Sequence, residues 1–176
     1  MAKIYTRKGD YGKTLLANGK TVAKSSNLIE FYGTLDELNA FLGWGLEALY
    51  SREEFNELIK KIYRIQQELF GLSAQLTNDE ICFSQKNTLL LEEDIDSFSN
   101  NLPPLKSFVL PSGGEASVRL HIARAVCRRA ERIVFKLEVS KNVQEIAATY
   151  LNRLSDWLYV AARYIAFISN VEEICL

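Results

Sequence analysis

Apolar residues recur three and four positions apart along most of this chain, and that spacing constrains the fold more than any other feature. The two clearest series occupy residues 35–49 and 55–76. Such spacing places apolar side chains on one face of an α-helix. The polar–apolar alternation typical of strands is nearly absent. The pattern therefore predicts amphipathic helices whose apolar faces pack against one another.

Capping residues suggest where the first two helices begin. Residues 34–37 and 51–54 both match the capping box, in which a hydroxyl and a carboxylate satisfy free backbone N–H groups at a helix start. The first helix has an alternative start near Ser26. The two predicted helices lie next to each other in sequence with a short connection, which favours an antiparallel pair.

Three further helices are expected in the second half of the chain. A short one has Leu91, Ile95 and Phe98 on its inner face and stops before two prolines, which lack the N–H group that a helix interior needs. A long helix is expected over residues 115–139. The last is capped by residues 142–145 and runs to about Ser169. Four long helices and one short helix predict an all-α fold, an antiparallel bundle.

The length of 176 residues fits a single domain, in which residues 1–24 form a polar arm and residues 25–170 form the bundle. The 21 basic and 22 acidic side chains nearly cancel, so the overall charge predicts no binding to nucleic acid. No apolar run approaches the roughly 20 residues of a membrane span. Three scattered cysteines and one histidine argue against a disulfide framework and a zinc site, and they favour a cytoplasmic protein. Any metal would be a hard cation held mainly by oxygens and substrate phosphates.

The arm contains the stretch YTRKGDYGKT, whose end resembles a phosphate-binding P-loop. A standard P-loop requires a glycine five positions before Gly12, and that position is Arg7. The standard P-loop is therefore excluded. Backbone amides of this turn, with Lys8, Lys13 and Thr14, are able to wrap phosphates as an anion-binding nest. The alternative is a solvated amino-terminal turn.

An arginine ladder occupies the fourth predicted helix. Arg124, Arg128 and Arg132 lie four residues apart, and like charges at that spacing repel. His121 and Glu131 fall in the same sector of the helix. The ladder suggests an anion from elsewhere, either a polyphosphate or carboxylates of a partner chain. An exposed basic face is the alternative.

The last predicted helix combines a core pattern with two polar residues. Tyr150, Trp157 and Tyr164 repeat every seven residues, which indicates core packing. Asn152 and Asp156 share a neighbouring face, either as a local surface pair or as part of a site. The sequence offers no obvious protein nucleophile. If the chain is an enzyme, its nucleophile is expected to come with a substrate or cofactor.

Five motifs, in order and with matching spacing over nearly the whole chain, resemble the trimeric, PduO-like family of ATP:cob(I)alamin adenosyltransferases. They are TRKGDYGKT at 6–14, YGTLDELN at 32–39, FVLPSGG at 108–114, HIARAVCRRAER at 121–132 and NRLSD at 152–156. The resemblance implies a bundle of about five helices, a homotrimer and active sites between subunits.

The resemblance also implies the residues of the site. Catalytic roles fall on Asp36, Phe108, Arg124 and Arg128, and Phe108 is also the corrinoid-binding residue. Asp36 and Arg124 match a pair that forms a salt bridge between subunits. The ATP-binding residues would be Thr6, Arg7, Lys8, Gly9, Thr14, Leu15, Lys24, Arg128, Arg129, Glu131, Arg132 and Asn152.

The implied reaction is transfer of the 5′-deoxyadenosyl group from ATP to cob(I)alamin, with triphosphate as the leaving group. Mg²⁺ would be held mainly by the ATP phosphates, and the sequence leaves its protein ligands open. A corrinoid reductase is the implied further partner. Phe108 would remove the lower axial ligand of cobalt. Ser112 departs from the family, which more often has glycine directly after the proline.

Two alternative functions fit the same pattern. One is a non-catalytic sensor of ATP or corrinoid on the same bundle. The other is a structural helical bundle that oligomerises.

Overall fold

A computed structural model describes residues 5, 7, 9–76, 83–105 and 107–176. Five α-helices and one small hairpin make up its regular structure. They are β1 (Lys13–Leu15), β2 (Thr21–Ala23), α1 (Asn27–Glu47), α2 (Asn56–Gln75), α3 (Gln85–Ser99), α4 (Glu115–Val134) and α5 (Lys141–Ile168). The predicted all-α bundle of four long helices and one shorter helix is confirmed.

The helices pack in the order α2, α1, α4, α5 and α3 around one core. Side-chain contacts fix their directions: α1 runs antiparallel to α4, since Asn27 donates to the Lys136 carbonyl and Gly45 lies against Leu120. Helices α4 and α5 are also antiparallel. Helices α3 and α5 run parallel, because Phe83 contacts Tyr150 while Phe98 contacts Tyr164. The expectation of an antiparallel bundle therefore holds for neighbouring elements in sequence but not for this pair.

The core confirms the apolar series and the aromatic heptad. Leu38, Leu42, Ile62 and Ile65 are fully buried, as are Tyr150 and Trp157 from α5. Burial of such side chains contributes roughly 1.5–3 kcal/mol each, which makes this packing the main stabilising term.

A buried polar network ties α3 to the rest of the bundle. Asp94 accepts hydrogen bonds from Lys61, from Arg64 at 2.8 Å and from the Trp157 indole at 3.2 Å. Glu68 accepts from the Tyr150 hydroxyl at 2.8 Å. These carboxylates are buried but fully partnered, as buried charges must be.

The alternative start of the first helix near Ser26 is confirmed, whereas its start at 34–37, the starts of the second and last helices and one predicted end are wrong. Helix α1 begins at Asn27 with Ser26 as its cap, while Thr34 lies inside it and donates to the Glu30 carbonyl. Helix α2 follows a single 3₁₀ turn over Glu53–Phe55, and neither has a side-chain cap bond. The capping boxes at 34–37 and 51–54 therefore do not form at helix starts.

In the second half of the chain, α4 ends at Val134 instead of residue 139. Helix α5 begins at Lys141, because Ser140 accepts a hydrogen bond from the backbone N–H of Val143 and so acts as the cap. In the described part of the chain, the helices are too short or too polar for any to cross a membrane.

Candidate active site

The arm forms a compact turn and hairpin above the amino terminus of α1. Gly12 has a φ of +74°, which glycine adopts readily, and its carbonyl accepts from the Lys24 backbone N–H at 2.9 Å. Gly9 lies under the Lys24 side chain, where an added Cβ would stand 3.2 Å from Nζ. The arm therefore brings Gly9 and Lys24 together, while Gly12 leads into a strand instead of the helix that a P-loop would open.

The other predicted arm residues have different surroundings. Thr14 lies half-buried in β1, opposite Val22, and Leu15 is exposed. Arg7 has a φ of +60° and lies over the ring of Tyr5. Thr6 and Lys8, also predicted to bind ATP, lie outside the described residues.

Beside the arm is an open, mainly apolar pocket of about 380 Å³ between α1 and α2. Leu16 and Ala17 of the arm form one wall, and Leu35, Asp36 and Asn39 of α1 form another. Asp36 is exposed on this side of the bundle.

The arginine ladder lies on the outer face of α4. Arg128 and Arg132 are exposed, and Arg132 donates to the Arg128 carbonyl at 2.9 Å. Arg124 is half-buried and His121 is buried at the start of the same face. The ladder is therefore solvent-facing only toward the carboxyl end of α4, where two guanidinium groups remain accessible.

The two edges of this face are held by neighbouring helices. Arg129 forms an ion pair with Glu37 of α1. Glu131 accepts a hydrogen bond from Asn152 of α5 at 2.9 Å. Asn152 is therefore joined to the arginine face, whereas Asp156 pairs with Arg153 at 2.7 Å and belongs to a local surface cluster.

A second open pocket, of about 600 Å³, lies at the other end of this face. Its lining includes Phe108 and Val109 from the loop before α4, Arg124 from α4 and Tyr159 from α5. The Phe108 side chain is 84% exposed, which is unusual for a phenylalanine. Two glycines with positive φ, Gly113 and Gly114, allow the chain to turn from this loop into α4.

His121 lies behind this pocket. Its ring is 3% exposed, lies 6.0 Å from the Tyr159 ring and has no hydrogen-bond partner on either nitrogen among the described residues. Burial, with a smaller effect of the Arg124 charge, lowers the pKa of His121 to about 4. The imidazole is therefore neutral near pH 7 and does not add charge to the arginine face.

Electrostatically, the accessible part of the site is suited to an anion. Within the described ranges, no three histidine, cysteine, aspartate or glutamate side chains converge in the way that a protein metal site requires. The pocket wall around Phe108 is mainly apolar, and Ser107, Arg124 and Tyr159 supply its polar groups. A large, flat substrate with an apolar face would fit there, next to an anionic group on Arg128 and Arg132.

Two features of this site were not predicted from the sequence. Tyr159 lines the Phe108 pocket, although the heptad of aromatic residues around it indicated core packing. Residues 171–176 pair with the Phe108 loop, with a bridge between Val109 and Cys175. Backbone pairing of so short a segment carries no periodicity that a sequence pattern reveals.

Comparison with known proteins agrees with these observations. A family model described as cobalamin adenosyltransferase matches residues 4–165. The corrinoid adenosyltransferase of Bacillus subtilis (strain 168) is 39% identical over 176 residues, covering 98% of this chain and 91% of that protein. The corrinoid adenosyltransferase MMAB of Mus musculus is 38% identical over 179 residues, covering 97% and 76% respectively.

Solved structures show the same relationship. A variant of the PduO-type ATP:corrinoid adenosyltransferase from Lactobacillus reuteri, complexed with cobalamin and ATP, superposes with a TM-score of 0.88 at 31% identity. The match covers 99% of each chain. The chain therefore belongs to the cobalamin adenosyltransferase family.

Proposed function

We propose that this chain transfers the 5′-deoxyadenosyl group of ATP to the cobalt of a reduced corrinoid and releases triphosphate. The observation that carries the proposal is the arrangement on α4, where accessible Arg128 and Arg132 continue the face that starts at the Phe108 pocket. A polyphosphate on the arginines and a corrinoid against Phe108 would then be neighbours. Membership of the family supports the same reaction.

The chemistry assigns the bond-making step to the substrates. An electron pair of cobalt(I) attacks the 5′ carbon of ATP, the bond from that carbon to the triphosphate oxygen breaks, and triphosphate leaves with the electron pair. The protein then has to align the two substrates and stabilise the developing negative charge. Arg128 and Arg132 supply that charge stabilisation, and Gly9 and Lys24 of the arm contribute to binding the phosphates.

The edges of the arginine face have a positioning role in this proposal. Glu37 fixes Arg129, and Asn152 fixes Glu131, through the ion pair and hydrogen bond described above. The nucleotide phosphates would accept hydrogen bonds from the remaining N–H groups of Arg129. Guanidinium groups suit this task because they bind phosphate oxygens through two parallel hydrogen bonds.

We further propose a homotrimer in which the site lies between subunits. Asp36 lines the pocket between α1 and α2, whereas Arg124 lines the Phe108 pocket, so the two belong to different pockets of one chain. Their pairing would join the Asp36 pocket of one subunit to the Arg124 face of its neighbour. Such a contact, repeated head to tail, closes into a three-membered ring when successive subunits are related by a rotation of about 120°.

Mg²⁺ is proposed as the counterion of the triphosphate. This ion is usually bound by substrate phosphates and one or two carboxylates, and Glu131 offers one carboxylate on the arginine face. When bound, it would neutralise charge on the leaving group. We also propose a cytoplasmic location and a corrinoid reductase as electron donor.

The test is direct. Purified protein is mixed with ATP, Mg²⁺ and chemically reduced cobalamin, and the absorption of cob(I)alamin is followed as adenosylcobalamin forms. Formation above the protein-free rate supports the proposal. Binding of ATP or corrinoid without product formation would instead favour a sensor.

A further inference from the structure

Residues 171–176, which we call the strap, lie antiparallel beside residues 108–112. The Leu110 backbone N–H donates to the Ile174 carbonyl at 2.9 Å, and the Leu176 N–H donates to the Phe108 carbonyl at 2.9 Å. Val109 and Cys175 form the bridge between these bonds. The backbone on both sides of Val109 is therefore held by the strap.

Ser112 connects the strap to the loop through its side chain. Its hydroxyl accepts a hydrogen bond from the Ile174 backbone N–H at 2.9 Å and donates to the Leu110 carbonyl at 2.9 Å. Its own carbonyl accepts from the Ser117 hydroxyl of α4 at 2.7 Å. A glycine at this position would lose both hydroxyl bonds, so this chain has a connection that a glycine-containing loop lacks.

An ion pair fixes the strap to the bundle. Arg163 of α5 donates to Glu173 at 3.2 Å and to the Pro103 carbonyl at 3.2 Å. The side chains of Arg163 and Glu173 are only 9% and 16% exposed. The pair therefore joins α5, the strap and the segment that precedes the Phe108 loop.

These contacts surround a side chain that is itself unsupported. Phe108 is 84% exposed, yet its carbonyl and the Leu110 N–H are both hydrogen-bonded to the strap, and Val109 between them lies opposite Cys175. An exposed aromatic ring on a freely moving loop would sample many positions, and the backbone bonds at the Phe108 carbonyl and the Leu110 N–H reduce that freedom.

We propose that Ser112 is a positioning residue, which acts through the strap to hold Phe108 in the orientation that the corrinoid meets. This inference rests on the proposed function. The inference adds that the strap and the Ser112 hydroxyl determine how effectively Phe108 acts on the corrinoid. Neither the strap nor Ser112 contacts ATP in this proposal.

The first test measures the strap without any substrate. Amide hydrogen exchange of residues 107–112 and 171–176 is compared in the wild-type protein and in Ser112→Ala, Ser112→Thr and Ser97→Ala. Loss of the hydroxyl should speed exchange of the strap about two- to tenfold, the range that one hydrogen bond provides. Threonine keeps the hydroxyl and should stay near the wild type, as should Ser97→Ala on the exposed face of α3. Unchanged exchange in Ser112→Ala would overturn the role of Ser112.

The second test asks whether the strap matters for the reaction. Adenosylation is measured from preformed cob(I)alamin and from cob(II)alamin plus reductant, because only the second requires Phe108 to change the ligands of cobalt before reduction. Ser112→Ala should lower the cob(II)alamin rate several-fold more than the cob(I)alamin rate, with an unchanged KM for ATP. Ser112→Thr should restore the wild-type ratio, and Glu173→Gln should reproduce the Ser112→Ala pattern.

The outcomes separate this inference from the proposed function. Equal losses in both assays, or a changed KM for ATP alone, would overturn the positioning role even if the strap exchanges faster. A wild-type protein that forms no adenosylcobalamin at all would overturn the proposed function. In that case the exchange experiment still decides whether Ser112 holds the strap to the Phe108 loop.

Discussion

At the scale of single residues, Arg128 tests the anion site most directly. Its guanidinium group is exposed, whereas Arg129 beside it is paired with Glu37. Replacement by alanine removes a charge-assisted partner of the phosphates, so we expect Arg128→Ala to raise the KM for ATP roughly 10- to 100-fold. Arg128→Lys keeps the charge but not the paired hydrogen bonds, so its KM for ATP should lie between those of the wild type and Arg128→Ala.

The matched control for Arg128 is Arg153→Ala. Arg153 pairs with Glu92 and Asp156 on the side of α5 that faces α3. Its removal costs surface ion pairs only and should leave the KM for ATP unchanged. Equal KM values for Arg128→Ala and wild type would show that the arginine face does not bind the nucleotide.

The lowered pKa of His121 predicts that the free energy of unfolding depends on pH. Its pKa is about 4 in the folded chain, against 6.5 as the ordinary value, because burial disfavours the charged ring. The unfolded chain therefore binds more protons between these values, and the folded state loses stability as the pH falls from 6.5 towards 4. The loss reaches about 3 kcal/mol at about 1.4 kcal/mol per pKa unit.

The measurement is urea denaturation at several pH values between 7 and 4 for the wild type and for His121→Phe. Phenylalanine fills a similar space without a titrating group, so its stability should fall less steeply over this range. Carboxylates titrate in both proteins and cancel in the difference. If the free energy of unfolding falls equally steeply with pH in both proteins, His121 does not titrate in the way that its burial requires.

At the scale of secondary-structure elements, the turn from the Phe108 loop into α4 depends on Gly113. Its φ is +92°, and an added Cβ would stand 2.6 Å from the Ala166 Cβ and 3.0 Å from the Ser117 hydroxyl. Both backbone strain and a collision with α5 oppose any side chain. Gly113→Ala should destabilise the protein by more than about 2 kcal/mol, as measured by denaturant unfolding.

Gly12 provides the control for that substitution. It also has a positive φ, +74°, but an added Cβ would meet nothing within 4 Å. Gly12→Ala should therefore lower the free energy of unfolding only through backbone strain, by about 1–2 kcal/mol. If the two substitutions cost the same, the close approach of α4 and α5 at Gly113 is not a constraint on the fold.

Some helices and breaks between helices are predicted well from the sequence. The apolar series of α1 and α2 and the break between α3 and α4 follow from periodicity and proline, which act locally. Helix starts were less predictable, because hydroxyl residues such as Thr34 satisfy a capping pattern equally well inside a helix, where they bond to the preceding turn. The strap pairing and the parallel α3–α5 contact depend on residues far apart in sequence.

At the scale of the whole molecule, the arginine face was indicated by residue spacing, whereas the roles of Asp36 and Phe108 were implied only by the motif resemblance. The sequence brings Arg124, Arg128 and Arg132 to one helix face, since four-residue spacing has that geometric consequence. It does not show that Asp36 and Arg124 line separate pockets. That separation is a property of tertiary packing, and it is compatible with the salt bridge between subunits that the resemblance implies.

Subunit complementation tests that hypothesis. Lys24→Ala weakens the arm and Arg128→Ala weakens the arginine face, so each homo-oligomer should have little activity at an ATP concentration below the wild-type KM. If each site takes the arm from one subunit and the arginine face from its neighbour, random mixing at equal amounts gives an intact pair at about one site in four. Co-expression of the two variants should therefore restore roughly a quarter of the wild-type activity per site.

The control is the Lys24→Ala/Arg128→Ala double variant co-expressed with Arg128→Ala. This mixture contains no intact arginine face and should stay inactive. Failure of the first mixture to recover activity, with mixed oligomers verified by native mass spectrometry, would place both halves of the site within one chain.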